Sequence, residues 1–241
     1  EIPCNDEVAS LLSSFNSMIA IQTKMRDDLI EAEKLKQQLS LNLLQQQVNP
    51  HFLYNTLDNI CALAELDEKE TLIQLVMNLS SFYRSSLSNG KMHISIGQEL
   101  EISRAYLEIL QIRYFHKFDF TITCPEALKN YSCIKLLLQP ILENSIYHGI
   151  KGLDRHGILH IEAEDAGDCI RFTISDNGRG FSKEDYEKIW QQDADHFGIK
   201  SIQQRILLYY GPGYGLSMES PQTGGCITVI TLPKQEGLPC H

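Results

Sequence analysis

Leu137-Leu138-Gln139-Pro140-Ile141-Leu142-Glu143-Asn144-Ser145-Ile146-Tyr147-His148 is the stretch on which the fold turns. It reads as part of a helix over 134–148, and that spacing puts Asn144 and His148 four apart on one helical face. An amide oxygen can bind magnesium, and an imidazole one turn on can reach a phosphate or ribose. A solvated polar pair on an ordinary helix has the same spacing. At this point the chain changes character. Of its 15 glycines only Gly90 and Gly97 precede residue 148, so the upstream part reads as helix and the downstream part as turns and strands. Strands are predicted over 118–124, 158–163, 170–175, 216–220 and 228–232, and further helices over 183–190 and 199–210. The carboxyl half is therefore a layer of helices on one sheet, and the fold class is α+β. Asp176-Asn177-Gly178-Arg179-Gly180 follows the strand at 170–175, so a carboxylate sits where a strand ends in a flexible turn. An ordinary loop has the same composition.

Upstream, helices are predicted over 69–87 and 99–114. Alternating steps of four and three from Leu11 give Leu11, Phe15, Met18, Gln22, Met25, Leu29, Ala32, Lys36, Leu39, Leu43 and Gln46, of which eight are apolar. A sustained 3.5-residue repeat marks a coiled coil, the alternative being one amphipathic helix on a globular core. The coiled coil leads into a helical hairpin, and two hairpins from two subunits would close a four-helix bundle. Gln47-Val48-Asn49-Pro50-His51-Phe52-Leu53-Tyr54-Asn55 inserts a proline into this helical pattern. Either the proline bends the helix and presents a nucleophilic imidazole, or it ends a helix and His51 merely faces water.

At 43% hydrophobic and 22% charged, the 241 residues have the composition of one large or two modest folded domains. A formal charge of −10 disfavours direct contact with nucleic acid. No apolar run approaches the ~18 residues of a membrane helix, and no secretory signal precedes the first helix. The seven cysteines are scattered, without a CxxC pair, which fits a reducing cytosol. The chain begins at Glu1 without a methionine, and the expectation is a piece of something longer.

Taken in order, these segments resemble the LytS/YesM-type sensor histidine kinases of bacterial two-component systems. The likeness rests on a phosphoacceptor box at 49–55, an N box at 143–148 and a DNGxG box at 176–180. It continues in Phe197-Gly198-Ile199 through to Arg205 and in a last strand ending Leu232-Pro233. Asp6-Glu7-Val8 with Phe15-Asn16-Ser17-Met18 further resembles the last helix of a HAMP linker, which in this family joins a membrane-embedded sensor to the kinase. The resemblance implies a HAMP-derived signalling helix over 1–36 and a dimerisation and phosphotransfer hairpin over 37–92. A Bergerat (GHKL) α/β-sandwich that binds ATP would follow over 93–235, with a tail at 236–241. It implies that His51 accepts a phosphoryl group from ATP and passes it to an aspartate of a response regulator. It also implies the cytoplasmic side of a cell membrane. The apolar seams of the coiled coil and the hairpins predict a homodimer. Asn55, one turn after His51 on the same face, is expected either to contribute to dephosphorylation of the regulator or simply to brace the proline bend. Asp176 would accept the adenine amino group, and Gly178 and Gly180 would admit the nucleotide to the backbone. Asn144 would coordinate Mg2+, His148 would lie near the phosphates, and Gly198 would begin the helix after a polar ATP lid at 181–197.

Three positions depart from the family pattern. His196 stands where a glycine is usual two residues before Gly198, and Gly225-Cys226 replaces a Gly-Thr pair, exchanging a hydroxyl for a weaker thiol donor. Phe52 follows His51 where many other histidine kinases carry an acid, though a non-acidic residue is usual in this subgroup. Two rivals remain: a hydrolysing GHKL ATPase and a non-catalytic signalling scaffold. Hydrolysing relatives carry a carboxylate one turn before the magnesium asparagine, where this chain has Pro140; Glu143, adjacent to Asn144, is turned about 100° away on a helix.

Overall fold

The computed structural model describes residues 15–16, 18–19, 21–26, 30, 50–86, 92–190, 197–222 and 224–235. The chain divides into two units, 1–50 and 51–241. In the first, the described residues are helical, and Phe15, Met18 and Met25 of the expected seam are exposed. Gln22 of the seam is likewise exposed, while the other seam residues, Asp6-Glu7-Val8, residues 47–49 before the expected bend at Pro50, His196 and the tail at 236–241 lie outside the described residues.

The second unit opens with α1 (Pro50–Glu65) and α2 (Lys69–Ser86), joined by a tight turn in which Asp67 takes a left-handed conformation, φ 59°. Phe52 and Phe82 flank that turn at equal sequence distance and meet with ring centroids 5.3 Å apart, so the helices fold back on one another. Leu75, Asn78, Phe82 and Ser86 recur at helical spacing and form the buried face of α2. The opposite faces remain apolar: Tyr54, Leu57, Ile73, Val76 and Met77 are all exposed.

β1 (His93–Ser95) runs into α3 (Ile96–Arg113), whose start is fixed by a capping box: Gln98 N donates to Ser95 Oγ, and Ser95 N donates to Gln98 Oε1. Ile96, Leu100, Ile102, Leu107, Ile109 and Leu110 are buried around much of the circumference of α3, so it runs through the core rather than over it. β1 pairs antiparallel with β3 (Ser132–Ile134), a small sheet the sequence pattern does not announce. The main sheet has the order β2-β4-β5-β7-β6, from β2 (Phe118–Thr123), β4 (Gly157–Asp165), β5 (Cys169–Asp176), β6 (Gly215–Glu219) and β7 (Cys226–Pro233). Only β2–β4 is parallel. Along β4, Leu159, Ile161 and Ala163 are buried while their neighbours face out, and Ile170, Phe172 and Ile174 repeat the pattern on β5, so one face of the sheet carries the core. The register sets Asp176, last in β5, opposite Cys226, first in β7.

The helix expected over 134–148 is shorter at its start and different at its end. Ile134 closes β3, and residues 135–138 form a buried segment in which Leu136 has φ 54°. α4 (Gln139–Asn144) follows, and a π-helical turn covers Ser145–Ile150. The apolar run reads as helix, but its backbone is claimed from elsewhere. The buried carboxylate of Glu99 accepts from Leu136 N at 2.8 Å and Leu138 N at 2.9 Å, while Arg205 donates to the carbonyls of Lys135 and Leu136. The helix predicted over 183–190 is present within the span expected as a polar lid, as α5 (Lys183–Trp190), capped by Ser182 and Asp185 through reciprocal bonds. α6 (Phe197–Tyr210) closes the layer over the sheet.

Candidate functional site

At the end of β5 the strand hands its last carboxylate to a cleft bounded by α4, the π-helical turn and the first residue of β7. Asp176 is buried, with only 9% of its surface exposed. Its Oδ1 accepts from Gly178 N at 2.9 Å and Cys226 N at 3.3 Å. Its Oδ2 is buried with no partner. Burial pushes the Asp176 pKa above the ordinary carboxylate value, and the Ser145, Gly178 and Cys226 donors pull against that rise. A buried acceptor with one oxygen satisfied and one orphaned fits a ligand that brings a hydrogen-bond donor, such as an exocyclic amine.

The glycines beside it have distinct reasons. A Cβ on Gly178 would stand 2.6 Å from Asp176 Oδ1 and 2.7 Å from Gly149 Cα, so the turn can fold onto the π-helical segment only without a side chain. That contact is sealed by Arg179 N donating to Gly149 O at 3.2 Å. Gly180 has φ 72° and closely faces Ser220 and Gly225. Asn177 ties the turn to the start of β4, its Oδ1 accepting from Ile158 N at 2.8 Å and its amide donating to His156 O at 3.1 Å.

Of the nucleotide-site residues expected from sequence, Asn144, His148, Asp176 and Gly180 line one cleft. The intervening π-helical turn changes the regular four-residue geometry, and single π turns of this kind often accompany functional sites. Gly178 lies against Asp176 and Gly149, and Gly198 packs on α4, where a Cβ would approach Pro140 Cβ to 3.2 Å. Ser145, Gly149 and Asp185 also line the cleft and had no signal of their own in the sequence. Glu143 turns away to Tyr106, whose hydroxyl donates to Glu143 Oε1 at 3.0 Å. Cys226, flagged as a departure, is on the cleft wall. Burial raises its thiol to about 11, and its Sγ lies 3.6 Å from Thr228 Oγ1, so a hydroxyl is held two residues along the same strand.

His51 and Asn55 are elsewhere, on the first turns of α1. His51 is exposed, while Phe52 beside it is buried. The Asn55 amide donates to His51 O, bracing the helix backbone at the imidazole-bearing residue.

Two family models match adjoining parts of the chain: histidine kinase over 39–118, and the histidine kinase-, DNA gyrase B- and HSP90-like ATPase over 131–236. The second defines the class of the carboxyl half, a GHKL ATPase fold that binds ATP. Sensor histidine kinase YesM of Bacillus subtilis (strain 168) is 31% identical over 228 residues, 95% of this chain and 39% of that protein. Sensor protein LytS of Staphylococcus haemolyticus (strain JCSC1435) is 27% identical over 225 residues, 90% of this chain and 37% of that protein. Sensor histidine kinase BtsS of Escherichia coli (strain K12) is 33% identical over 181 residues, 75% of this chain and 31% of that protein. The chain belongs to the LytS/YesM-type sensor histidine kinase family. It spans about two-fifths or less of the length of these relatives.

Proposed function

We propose that this chain is the cytoplasmic kinase portion of a membrane sensor histidine kinase, which phosphorylates its own His51 from ATP and passes the phosphoryl group to a response-regulator aspartate. The observation that carries the reading is the orphaned Asp176 Oδ2 in a cleft shared with Asn144 and His148, in a chain that also exposes His51 at the start of a helix. Asp176 Oδ2 accepts the adenine amine, Gly178 and Gly180 keep the turn thin beside it, and His148 faces the phosphates. Among the described residues no group of three or more His, Cys, Asp or Glu side chains could hold a metal. Asn144 would hold Mg2+ through its amide oxygen, and the metal would supply charge neutralisation at the phosphates. The nucleotide supplies the phosphoryl group. His51 supplies an imidazole nitrogen that bonds to the γ-phosphorus as the bond to the β,γ-bridging oxygen breaks, ADP leaves, and the ring gives up its proton.

The domain division follows: a HAMP-derived helix over 1–36, a hairpin over 37–92, the ATP-binding domain over 93–235 with Gly198 opening the helix after the lid, and a tail over 236–241. We assign a homodimer through the hairpins because Leu57, Ile73, Val76 and Met77 leave an apolar face uncovered. Among the described residues no helix is long and apolar enough to cross a membrane. A membrane sensor in another part of a longer protein is supported by the greater length of the sensor-kinase relatives. Asn55, one turn from His51, contributes to dephosphorylation of the docked regulator. Incubation with γ-labelled ATP and magnesium tests the core of the reading. Acid-labile, alkali-stable label on His51 is expected, and acid-stable label or free phosphate alone would overturn it.

A further inference from the structure

One face of α3 carries three polar side chains at seven-residue intervals, and each clasps the segment that ends in Asn144 and the π-helical turn. Glu99 accepts from Leu136 N and Leu138 N. Tyr106 donates to Glu143 Oε1 at 3.0 Å, and Arg113 donates through Nη1 to Tyr147 Oη at 2.9 Å. Seven residues are two helical turns, so the three lie in a row, and residues 136–147 are held to α3 along their length.

The middle clasp differs from the other two. The Tyr106 ring is fully buried against the phosphoacceptor hairpin, with centroids 4.9 Å from Phe52 and 5.8 Å from Phe82. Phe52 adjoins His51, and Glu143 adjoins Asn144. A single side chain thus touches the immediate neighbour of the acceptor and the immediate neighbour of the magnesium asparagine. Packing alone does not call for the hydroxyl, because phenylalanine would fill the same aromatic cluster without a polar group to satisfy. Burial and the Glu143 carboxylate both raise the phenol pKa, which keeps it a neutral donor.

We propose that Tyr106 is a positioning residue for phosphoryl transfer, fixing Asn144 through Glu143 and His51 through Phe52 in one frame. This rests on the kinase reading above. Misplacement of reacting groups acts on the rate of transfer and not on the affinity of the donor site.

The test compares Tyr106→Phe, Glu143→Gln and Glu143→Leu with the wild-type chain for nucleotide affinity, initial rate of His51 labelling at saturating ATP, and melting temperature. Tyr106→Phe is expected to bind nucleotide within about twofold of wild type and to label at least about tenfold more slowly. Glu143→Leu should match it, and the double variant should be no slower than either single, because both remove one bond. Glu143→Gln keeps an oxygen that accepts from the phenol and should label within about threefold of wild type. Wild-type labelling by Tyr106→Phe would overturn the inference. So would a Glu143→Gln defect as deep as that of Glu143→Leu, which would mark the carboxylate's charge and not its hydrogen bond as the working feature. A loss explained entirely by weaker nucleotide binding or by melting would overturn it as well. Absence of phosphohistidine on the wild-type chain would remove the kinase reading and this inference together, whereas a labelled wild type with an equal Tyr106→Phe removes the inference alone.

Discussion

The ATP cleft and the acceptor hairpin are built on opposite plans. Around Asp176, the backbone donors of Gly178 and Cys226 and the close approach of Gly149 hold the carboxylate in place before any ligand arrives. Around His51, one amide braces the backbone, the imidazole is exposed, and the helices beyond it turn Leu57, Ile73, Val76 and Met77 to water. The described lining of the cleft comes from one chain, whereas the proposed dimer would cover the apolar face of the hairpin. Donor binding and phosphoryl acceptance should therefore come apart under mutation, and only the second should depend on a neighbour.

The deepest break is expected from His51→Gln. Labelling should fall to background while nucleotide affinity stays within about twofold, since the exposed His51 imidazole does not line the cleft that holds the nucleotide. Normal labelling of this variant would place the acceptor elsewhere.

On the other side of the comparison, Asp176→Asn should weaken nucleotide binding about tenfold or more, the size of a lost hydrogen bond to a charged acceptor. Asn144→Asp should disable phosphate and magnesium positioning with the fold intact. A pH measurement sharpens this. Folding raises the Asp176 pKa, so the folded chain holds a proton there more tightly than the unfolded chain. The resulting stability is complete below the unfolded carboxylate value and is lost as pH rises through the raised one. Asp176→Asn removes that slope, so in nucleotide-free melting the wild type should lose stability relative to the variant as pH rises above the ordinary carboxylate value. Parallel curves would contradict the burial-raised carboxylate.

The same contrast explains what the sequence could tell. Asn144, His148 and Asp176 were named through the family resemblance of the ordered boxes around them, because their spacing alone fits a solvated pair and an ordinary loop equally well, and one cleft brings them together. The segment 135–138 was misread as helix because its leucines carry a helical pattern. What denies it helix is Glu99, 37 residues away from Leu136, taking the amides a helix would use. A long-range partner leaves no mark in local periodicity. For the same reason Pro140 and the direction of Glu143 could be weighed in advance, while the Tyr106 bond to Glu143 could not.

A smaller effect should appear at the uncovered face. Sedimentation of the wild-type chain at micromolar concentration should give a dimer. Ile73→Asp or Met77→Asp should shift it toward monomer by about 2 kcal/mol per buried apolar side chain lost. Nucleotide affinity should not change, because the described lining of the cleft comes from one chain. A monomeric wild type would contradict the pairing.

The smallest effect is expected at Asn55, where brace and chemistry compete for one amide. Its Nδ2 is committed to His51 O, so a purely structural role is already visible. The oxygen of the same amide can accept a proton from water, and orienting a water toward an aspartyl phosphate requires no change of charge. Removing an exposed helix brace costs about 0.5–1 kcal/mol, too little to unfold the hairpin. Asn55→Ala should therefore melt slightly earlier and label His51 within about twofold of wild type, since the imidazole itself is untouched. Dephosphorylation of the phosphorylated regulator by the variant is the deciding measurement. Slower dephosphorylation with labelling preserved would mean the amide acts on the regulator. A parallel fall in both activities would reduce Asn55 to the brace that holds His51.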